Sequence, residues 1–333
     1  MDSISVEARV PAYRRPHLLH RCLTSLIAQT YEHWTAIVLD DSPNREAQKV
    51  VNGLRDPRIS YRPNPIQLGC SGNIDAAFNP TAYLNGDWSF VLEDDNWLAP
   101  TFIEMNLIAA NTYDTNVVLR NQTIVQDDGS PAPGIMLATV QDDILGNADR
   151  RFSPLQIQAA MTVSTGLSNG GIFWKLGTDN DFTVGPSINS SQVQEFCRTL
   201  RLNTSVAYAS EPLAMFSLPL NNETSREGLS NRQFSRTRQA LLRHLLGRYQ
   251  QDFTRALATL PMSPEMRQRS RIAMADALHL PSLRPVTPAS LLAAAKGLAK
   301  VLFTPDPTAS FSSASASLVA NRPTSTNSAT KHV

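Results

Sequence analysis

Two short acidic clusters stand out because each follows directly on an apolar run. Trp34 to Leu39 ends in Asp40 and Asp41, and Trp88 to Leu92 ends in Glu93, Asp94 and Asp95. Carboxylate oxygens are hard ligands that suit magnesium or manganese, and magnesium takes one or two protein carboxylates together with phosphate oxygens and water. A cation held that way neutralises the charge that builds on a departing phosphate group. An Asp-Asp dipeptide alone reads as a solvated turn, so the chemistry requires that the two clusters share one site.

The elements around them supply such a site. Ile4 to Val10, Trp34 to Leu39, Ile59 to Arg62 and Trp88 to Leu92 are β-rich runs separated by helical patterns. Leu18, Leu19, Cys22, Leu23, Leu26 and Ile27 recur at helical spacing, with Pro16 where a first helical turn tolerates proline. A second helix runs through Val50 and Leu54, a loop of turn formers fills 63 to 73, and short helices are expected over Ile74 to Phe78 and Thr101 to Ala110. Asn116 to Val125 reads as a strand, Asn169 to Trp174 as a loop entering a strand, and 191 to 202 as a helix. Alternating strands and helices predict an α/β fold with a mostly parallel sheet flanked by helices. In such sheets ligands bind beyond the carboxyl ends of the strands, where both acidic clusters lie. In the first run Ser5, Glu7 and Arg9 alternate with apolar residues, so one face of that strand is expected to be exposed or paired with a basic appendage.

The 333 residues, 42% of them hydrophobic, allow one domain of about 200 residues plus an appendage. Charge divides unevenly: residues 1–220 hold 15 Lys and Arg against 23 Asp and Glu, and residues 221–305 hold 13 against 5. The division predicts a domain over 1–220, a helical appendage over 221–305 with Leu241, Leu242, Leu245 and Leu246 on one stripe, and a disordered Ser/Thr-rich tail over 306–333. Cys22, Cys70 and Cys197 are far apart and read as buried thiols of a reducing compartment. Glu7 and Arg9 come before any long apolar run, so no secretory signal is expected, and with no apolar run of about 18 residues a cytoplasmic location is expected.

Several motifs in order resemble the family 2 glycosyltransferases. Val10, Pro11, Ala12, Tyr13, Arg14, Arg15 and Pro16, then Leu23, Ser25, Leu26, Gln29, Thr30 and Tyr31, then Val38, Leu39, Asp40, Asp41 and Ser42 resemble that family's opening. Asn64, Gly69 and Asn73 resemble its loop after the third strand, and Phe90 to Leu98 with Pro100 its DxD-type segment. Leu167 to Phe173 resembles the acceptor-side strand and Val206 to Leu213 the end of the domain, so the likeness covers about residues 4–216.

The resemblance implies a GT-A fold and a metal-dependent, inverting transfer of sugar from a nucleotide-diphosphate donor, with UDP the expected nucleotide and Mn2+ or Mg2+ the expected ion. Pro11, Ala12 and Tyr13 would line the nucleotide pocket and Asp41 would accept a hydrogen bond from the base. Asp94 would contact the ribose or share the metal, and Asp95 would ligate it. Three positions depart from the family pattern: Arg14 stands where Asn is usual, Gly72 where Arg is frequent, and Gln192 where the helix over 191–202 usually carries the Asp base. An inverting transferase needs a carboxylate to take the acceptor hydroxyl's proton. Glu195, one turn further along, is one candidate, and Asp179 or Asp181 in the preceding loop is another.

Other classes fit less well. A dinucleotide oxidoreductase requires GxGxxG after the first strand, and Pro11 to Pro16 contains no glycine. A metal hydrolase would bring histidine ligands, which this acidic region lacks. Loss of transfer with retention of nucleotide-sugar binding stays open because of Gln192. The acceptor classes in view are a glycan, a lipid-linked glycan and a small molecule; no nucleic-acid motif is present. For residues 221–305 a helical cap, a dimer contact and a peripheral element at the inner membrane face stay open, the last because Leu291, Leu292, Leu298, Val301 and Leu302 sit beside Lys296 and Lys300.

Overall fold

In the computed structural model, residues 4–81, 83–132, 139–185, 188, 190–218 and 231–278 are described. The elements are β1 (Val6–Ala12), α1 (Pro16–Ile27), β2 (Trp34–Asp40), α2 (Glu46–Leu54), β3 (Ile59–Pro63), α3 (Gly69–Ala77), β4 (Trp88–Val91), β5 (Trp97–Leu98), α4 (Phe102–Thr112), β6 (Val117–Gln126), α5 (Asp142–Leu145), β7 (Arg150–Phe152), α6 (Pro154–Ala160), β8 (Ile172–Lys175), α7 (Ser191–Arg201), β9 (Val206–Leu218), α8 (Asn231–Thr259) and α9 (Pro264–Leu278). They form an α/β fold around one nine-stranded sheet of order β3-β2-β1-β4-β8-β6-β9-β5, with β7 also paired to β9. Strands β1 to β4 are mutually parallel. The antiparallel β8 separates β4 from β6, and β9 runs parallel to β6. Six strands therefore run one way, while β5, β7 and β8 oppose them.

The apolar stripe of α1 does what its spacing predicts: Leu18, Leu19, Cys22, Leu23 and Leu26 are all buried and join Val6, Ala8, Val10, Val38 and Phe90 in the main core. Aromatic rings continue that core across the sheet, with Trp88 and Phe90 both stacked on Phe173.

The expectation for β1 is corrected. All seven of its residues are buried, Glu7 and Arg9 completely. They pair with each other at 2.6 Å, and the segment after α3 covers them. The Arg9 guanidinium donates to the carbonyls of Ala77, Asn79 and Thr81, while the Glu7 carboxylate accepts the N–H groups of Tyr83 and Leu84. The alternating polarity marks an internal ion pair facing loop backbone, not a solvent face. Buried charges persist only when paired and hydrogen-bonded, and this pair is both.

Helix α3 starts at Gly69, earlier than the Ile74 expected, because a remote side chain satisfies its entry. The Asp41 carboxylate accepts the N–H groups of Leu68 and Gly69, donors that a helix cannot satisfy internally at that end. Gly69 itself has φ +74°, which glycine adopts without a Cβ clash. Two of the three cysteines are buried as expected, whereas Cys70 in the first turn of α3 is exposed.

By its contacts the chain separates into a compact unit over Met1–Met274 and a second over Ala275–Val333. Helix α8, bent at Tyr249, packs on α6 within the first unit and buries Leu241, Leu242, Leu245 and Leu246. The tail expected over 306–333 and the apolar and lysine residues over 291–302 lie outside the described residues. Among the described residues no helix is long and apolar enough to cross a membrane.

Candidate active site

The end of β1 joins the two acidic clusters. Asp41 N–H donates to the carbonyl of Ala12 at 3.0 Å, and Asp94 N–H to that of Pro11 at 3.3 Å. Because β1 lies between β2 and β4, the acids that follow those strands emerge on either side of Pro11 and Ala12. The Tyr13 N–H then donates to Asp94 Oδ2 at 2.9 Å. Tyr13 itself is exposed, with its hydroxyl accepting from Gln67 and Arg14 beside its ring. The resemblance implies one site for Pro11, Ala12, Tyr13, Asp41, Asp94 and Asp95; these contacts bring the first five together, and Asp95 directly follows Asp94.

A polar network fixes the β2 side of the site. Asp41 Oδ1 accepts Asn64 Nδ2 at 2.8 Å as well as Leu68 N–H, and Oδ2 accepts Gly69 N–H. Asn64 Nδ2 also reaches Asn73 Oδ1, whose own amide donates to the Leu39 carbonyl. A carboxylate offers about four acceptor positions, so three are occupied and one is left for a ligand N–H. Asp40 faces the other way, accepting Ser42 N–H and the Tyr61 hydroxyl.

On the β4 side a cation already sits on the acids. Arg15 forks across both carboxylates, Nη1 donating to Asp95 Oδ2 at 2.6 Å and Nη2 to Asp94 Oδ1. The acids are almost wholly buried, at 2% and 3% exposure of their side chains, while Arg15 keeps 23%. Burial pushes the Asp94 carboxyl up to about 7, opposed by Arg15 and the Tyr13 N–H and helped by Asp95. For Arg15 burial acts to lower its pKa, but the charges of Asp94 and Asp95 more than reverse this, so the guanidinium stays charged. Arg21 braces the same turn by donating to the Asp95 carbonyl at 2.7 Å, with its guanidinium 3.7 Å from the Trp97 ring.

A third wall comes from α7 and the 3-10 turn at Asn169–Gly171. Glu195 accepts the Asn169 N–H at 2.8 Å. Burial of its carboxyl pushes it up to about 7, opposed by the Asn169 N–H and the Thr165 hydroxyl and helped by the charge of Glu93. The turn lies against the acidic segment: a Cβ added at Gly170 would stand 3.7 Å from the Asn96 side-chain Nδ2, one residue past Asp95. One turn further on, the fully buried Arg198 clamps three elements. It donates to Asp75 on α3 at 2.9 Å, to Asn169 at 2.7 Å and to the Phe182 carbonyl at 3.1 Å. Asp75 in turn accepts the N–H groups of Val184 and Gly185.

Comparison with known proteins finds likenesses in sequence and in fold. Residues 9–158 match the model for "Glycosyl transferase family 2". That stretch, less than half of the 333 residues, is similar to the family. Among curated relatives, the chain is 26% identical over 131 residues to an Escherichia coli UDP-Glc:alpha-D-GlcNAc-diphosphoundecaprenol beta-1,3-glucosyltransferase, WfgD; the match covers 38% of this chain and 51% of that protein. It is 30% identical over 92 residues to the putative colanic acid biosynthesis glycosyl transferase WcaA of E. coli K12, covering 26% of this chain and 32% of the relative. The matched stretch thus spans about half of the first relative and less of the second. In fold the chain is similar to S. aureus TarS 1-349 crystallised with UDP-GlcNAc, at a TM-score of 0.58, 14% identity and coverage of 83% of this chain and 81% of that one. The UDP complex of the same fragment gives 0.53 at 13% identity, covering 88% of each chain. These likenesses show a GT-A fold, as the motif order implied.

Against the family 2 pattern, the candidate bases fall in different places. Gln192, at the usual position of the Asp base, is exposed. Glu195 is the acidic residue of α7 and faces the 3-10 turn. Asp181 is held away, its exposed carboxylate accepting Thr183 N–H and pairing with Arg201 at the far end of α7. Asp179 is also exposed. Sequence reasoning did not single out Arg15, Asp75 or Asn169. Arg15 was visible only as a member of a motif, and nothing local signals that the partners of Arg15 and Arg198 lie 80 and 123 positions away.

Proposed function

We propose that this chain transfers a sugar, with inversion, from a UDP-sugar to a glycan acceptor, using a divalent ion on Asp95 and Glu195 as the base. The observation that carries the reading is the convergence of Asp41, Asp94 and Asp95 around the end of β1. Magnesium or manganese fits this donor set. Among the described residues no cluster of three or more His, Cys, Asp or Glu is arranged to hold an ion alone, so diphosphate oxygens would complete the shell, the pattern expected of magnesium with nucleotides. A bound ion supplies charge neutralisation for the leaving diphosphate.

The protein groups take the remaining roles. Tyr13 offers an exposed ring beside the pocket for the base, and Asp41 offers its remaining acceptor position to a base N–H. Asp94, anchored by Tyr13 N–H, contacts the ribose or shares the ion. Glu195, with its carboxyl raised to about 7, takes a proton from the attacking acceptor hydroxyl near neutral pH. A lipid-linked glycan is the favoured acceptor class, on the name of the E. coli relative. Gln192 supports a second reading, a nucleotide-sugar-binding protein without transfer.

A donor panel with Mn2+ separates the two. Release of UDP in the presence of lipid-linked or free glycan, lost in Asp95→Ala, supports transfer. Metal-dependent binding without turnover supports the second reading, and donor capture that Asp95→Ala leaves intact overturns both.

A further inference from the structure

Resting on the donor-site reading above, we infer that Arg15 is an exchangeable resident cation: it and the divalent ion occupy the same two carboxylates in turn, and the nucleotide diphosphate drives the exchange. The guanidinium covers Asp94 and Asp95 through two charge-assisted hydrogen bonds. Such bidentate contacts are the strong class of hydrogen bond and match a carboxylate's planar geometry. The oxygens engaged, Asp94 Oδ1 and Asp95 Oδ2, belong to side chains only 2% and 3% exposed, and the guanidinium occupies lone-pair positions that an ion would need.

The surrounding structure suits a movable group. Arg15 is the N-cap residue of α1, and its side chain makes no capping bond there. Pro16 fixes the backbone at the helix entrance, leaving the side-chain torsions as the available motion. With 23% exposure Arg15 has a path outward. It lines a surface depression with Ala12, Tyr13, Ser42, Ala47 and Asp94. A diphosphate entering there presents a competing partner for the guanidinium, since Arg–phosphate contacts are also bidentate and charge-assisted. As Arg15 turns to the phosphates, the carboxylates are bared for the ion. Ion and nucleotide therefore bind with positive coupling, and the coupling is reciprocal.

The test is Mn2+ titration followed by electron paramagnetic resonance, with and without UDP, on the full chain. Wild type is expected to bind Mn2+ weakly alone and much more tightly with UDP. Arg15→Gln removes the competitor, so its nucleotide-free affinity should tighten about tenfold or more. The gain from adding UDP should shrink correspondingly. Arg15→Lys keeps a positive charge over the acids but not the fork, and should fall between the two; it serves if the glutamine variant folds poorly. Tightening that disappears in Arg15→Gln combined with Asp95→Ala places the ion on these carboxylates. Equal or weaker nucleotide-free affinity in both Arg15 variants, with UDP-dependent binding intact, overturns the exchange and leaves the donor-site reading standing. Absence of Mn2+ binding in every protein even with UDP overturns that reading as well.

Discussion

Replacing Glu195 by Gln should move activity and stability in opposite directions. The carboxyl accepts the Asn169 N–H, and burial carries it from the ordinary 4.5 to about 7. A raised acid binds its proton more tightly in the native state. The stability contributed by the protonated form is complete below about pH 4.5 and lost as pH rises through about 7. The difference between 7 and 4.5, at ~1.4 kcal/mol per tenfold, sets a ceiling of about 3 kcal/mol on that loss. Residual exposure reduces it to ~1–2 kcal/mol. Glutamine keeps an oxygen for Asn169 N–H and carries no charge, so Glu195→Gln should be more stable than wild type at pH 8 by that amount and no more stable at pH 4. Removing a general base costs about 10²- to 10⁴-fold, or ~3–5.5 kcal/mol of barrier. UDP release measured from pH 5 to 9 should climb through about 7 in wild type and lose that limb in the variant, with urea melts at pH 4 and 8 alongside. A variant that keeps a third of wild-type activity at pH 8, or one that is destabilised there, would falsify the assignment of Glu195 as base.

Two further outcomes concern the scaffold. Arg198→Met leaves Asp75 charged and buried without its guanidinium, so chemical denaturation should show a loss of about 3–5 kcal/mol, the usual result of removing one partner of a buried pair. Because Asn169 loses its anchor at the same time, the Glu195-dependent pH limb should also broaden or shift. Arg9→Met should cost a similar ~3–5 kcal/mol by leaving Glu7 unpaired, and limited proteolysis should then cut within 77–84, whose carbonyls it releases.

Much of the donor half was legible because its signals are local. The stripe of α1, the apolar runs of β2 and β4 and the acids directly after them each lie within a dozen residues, and parallel-sheet topology brings such strand ends together. What escaped depends on partners distant along the chain. Glu7 and Arg9 looked like a wet strand face because alternation ordinarily means that; only the segment over 77–84 folding across them makes the face dry. The early start of α3 depends on Asp41, 27 and 28 positions before the amides it satisfies. Glu195 was one candidate among several from spacing alone, and it is the turn at Asn169 that separates it from Asp181. The motif containing Arg15 was recognised for its tyrosine and proline, while the guanidinium's destination was not encoded in any neighbouring residue.

The Glu7–Arg9 pair has directionality. Along the segment covering it, carbonyls from Ala77, Asn79 and Thr81 come first and N–H groups from Tyr83 and Leu84 come after. Arginine can only donate and an ionised glutamate can only accept. Exchanging the two residues would preserve composition, volume and net charge, yet point donors at donors and acceptors at acceptors. The connection between α3 and β4 therefore carries a polarity written into its backbone, and it admits the ion pair in one orientation.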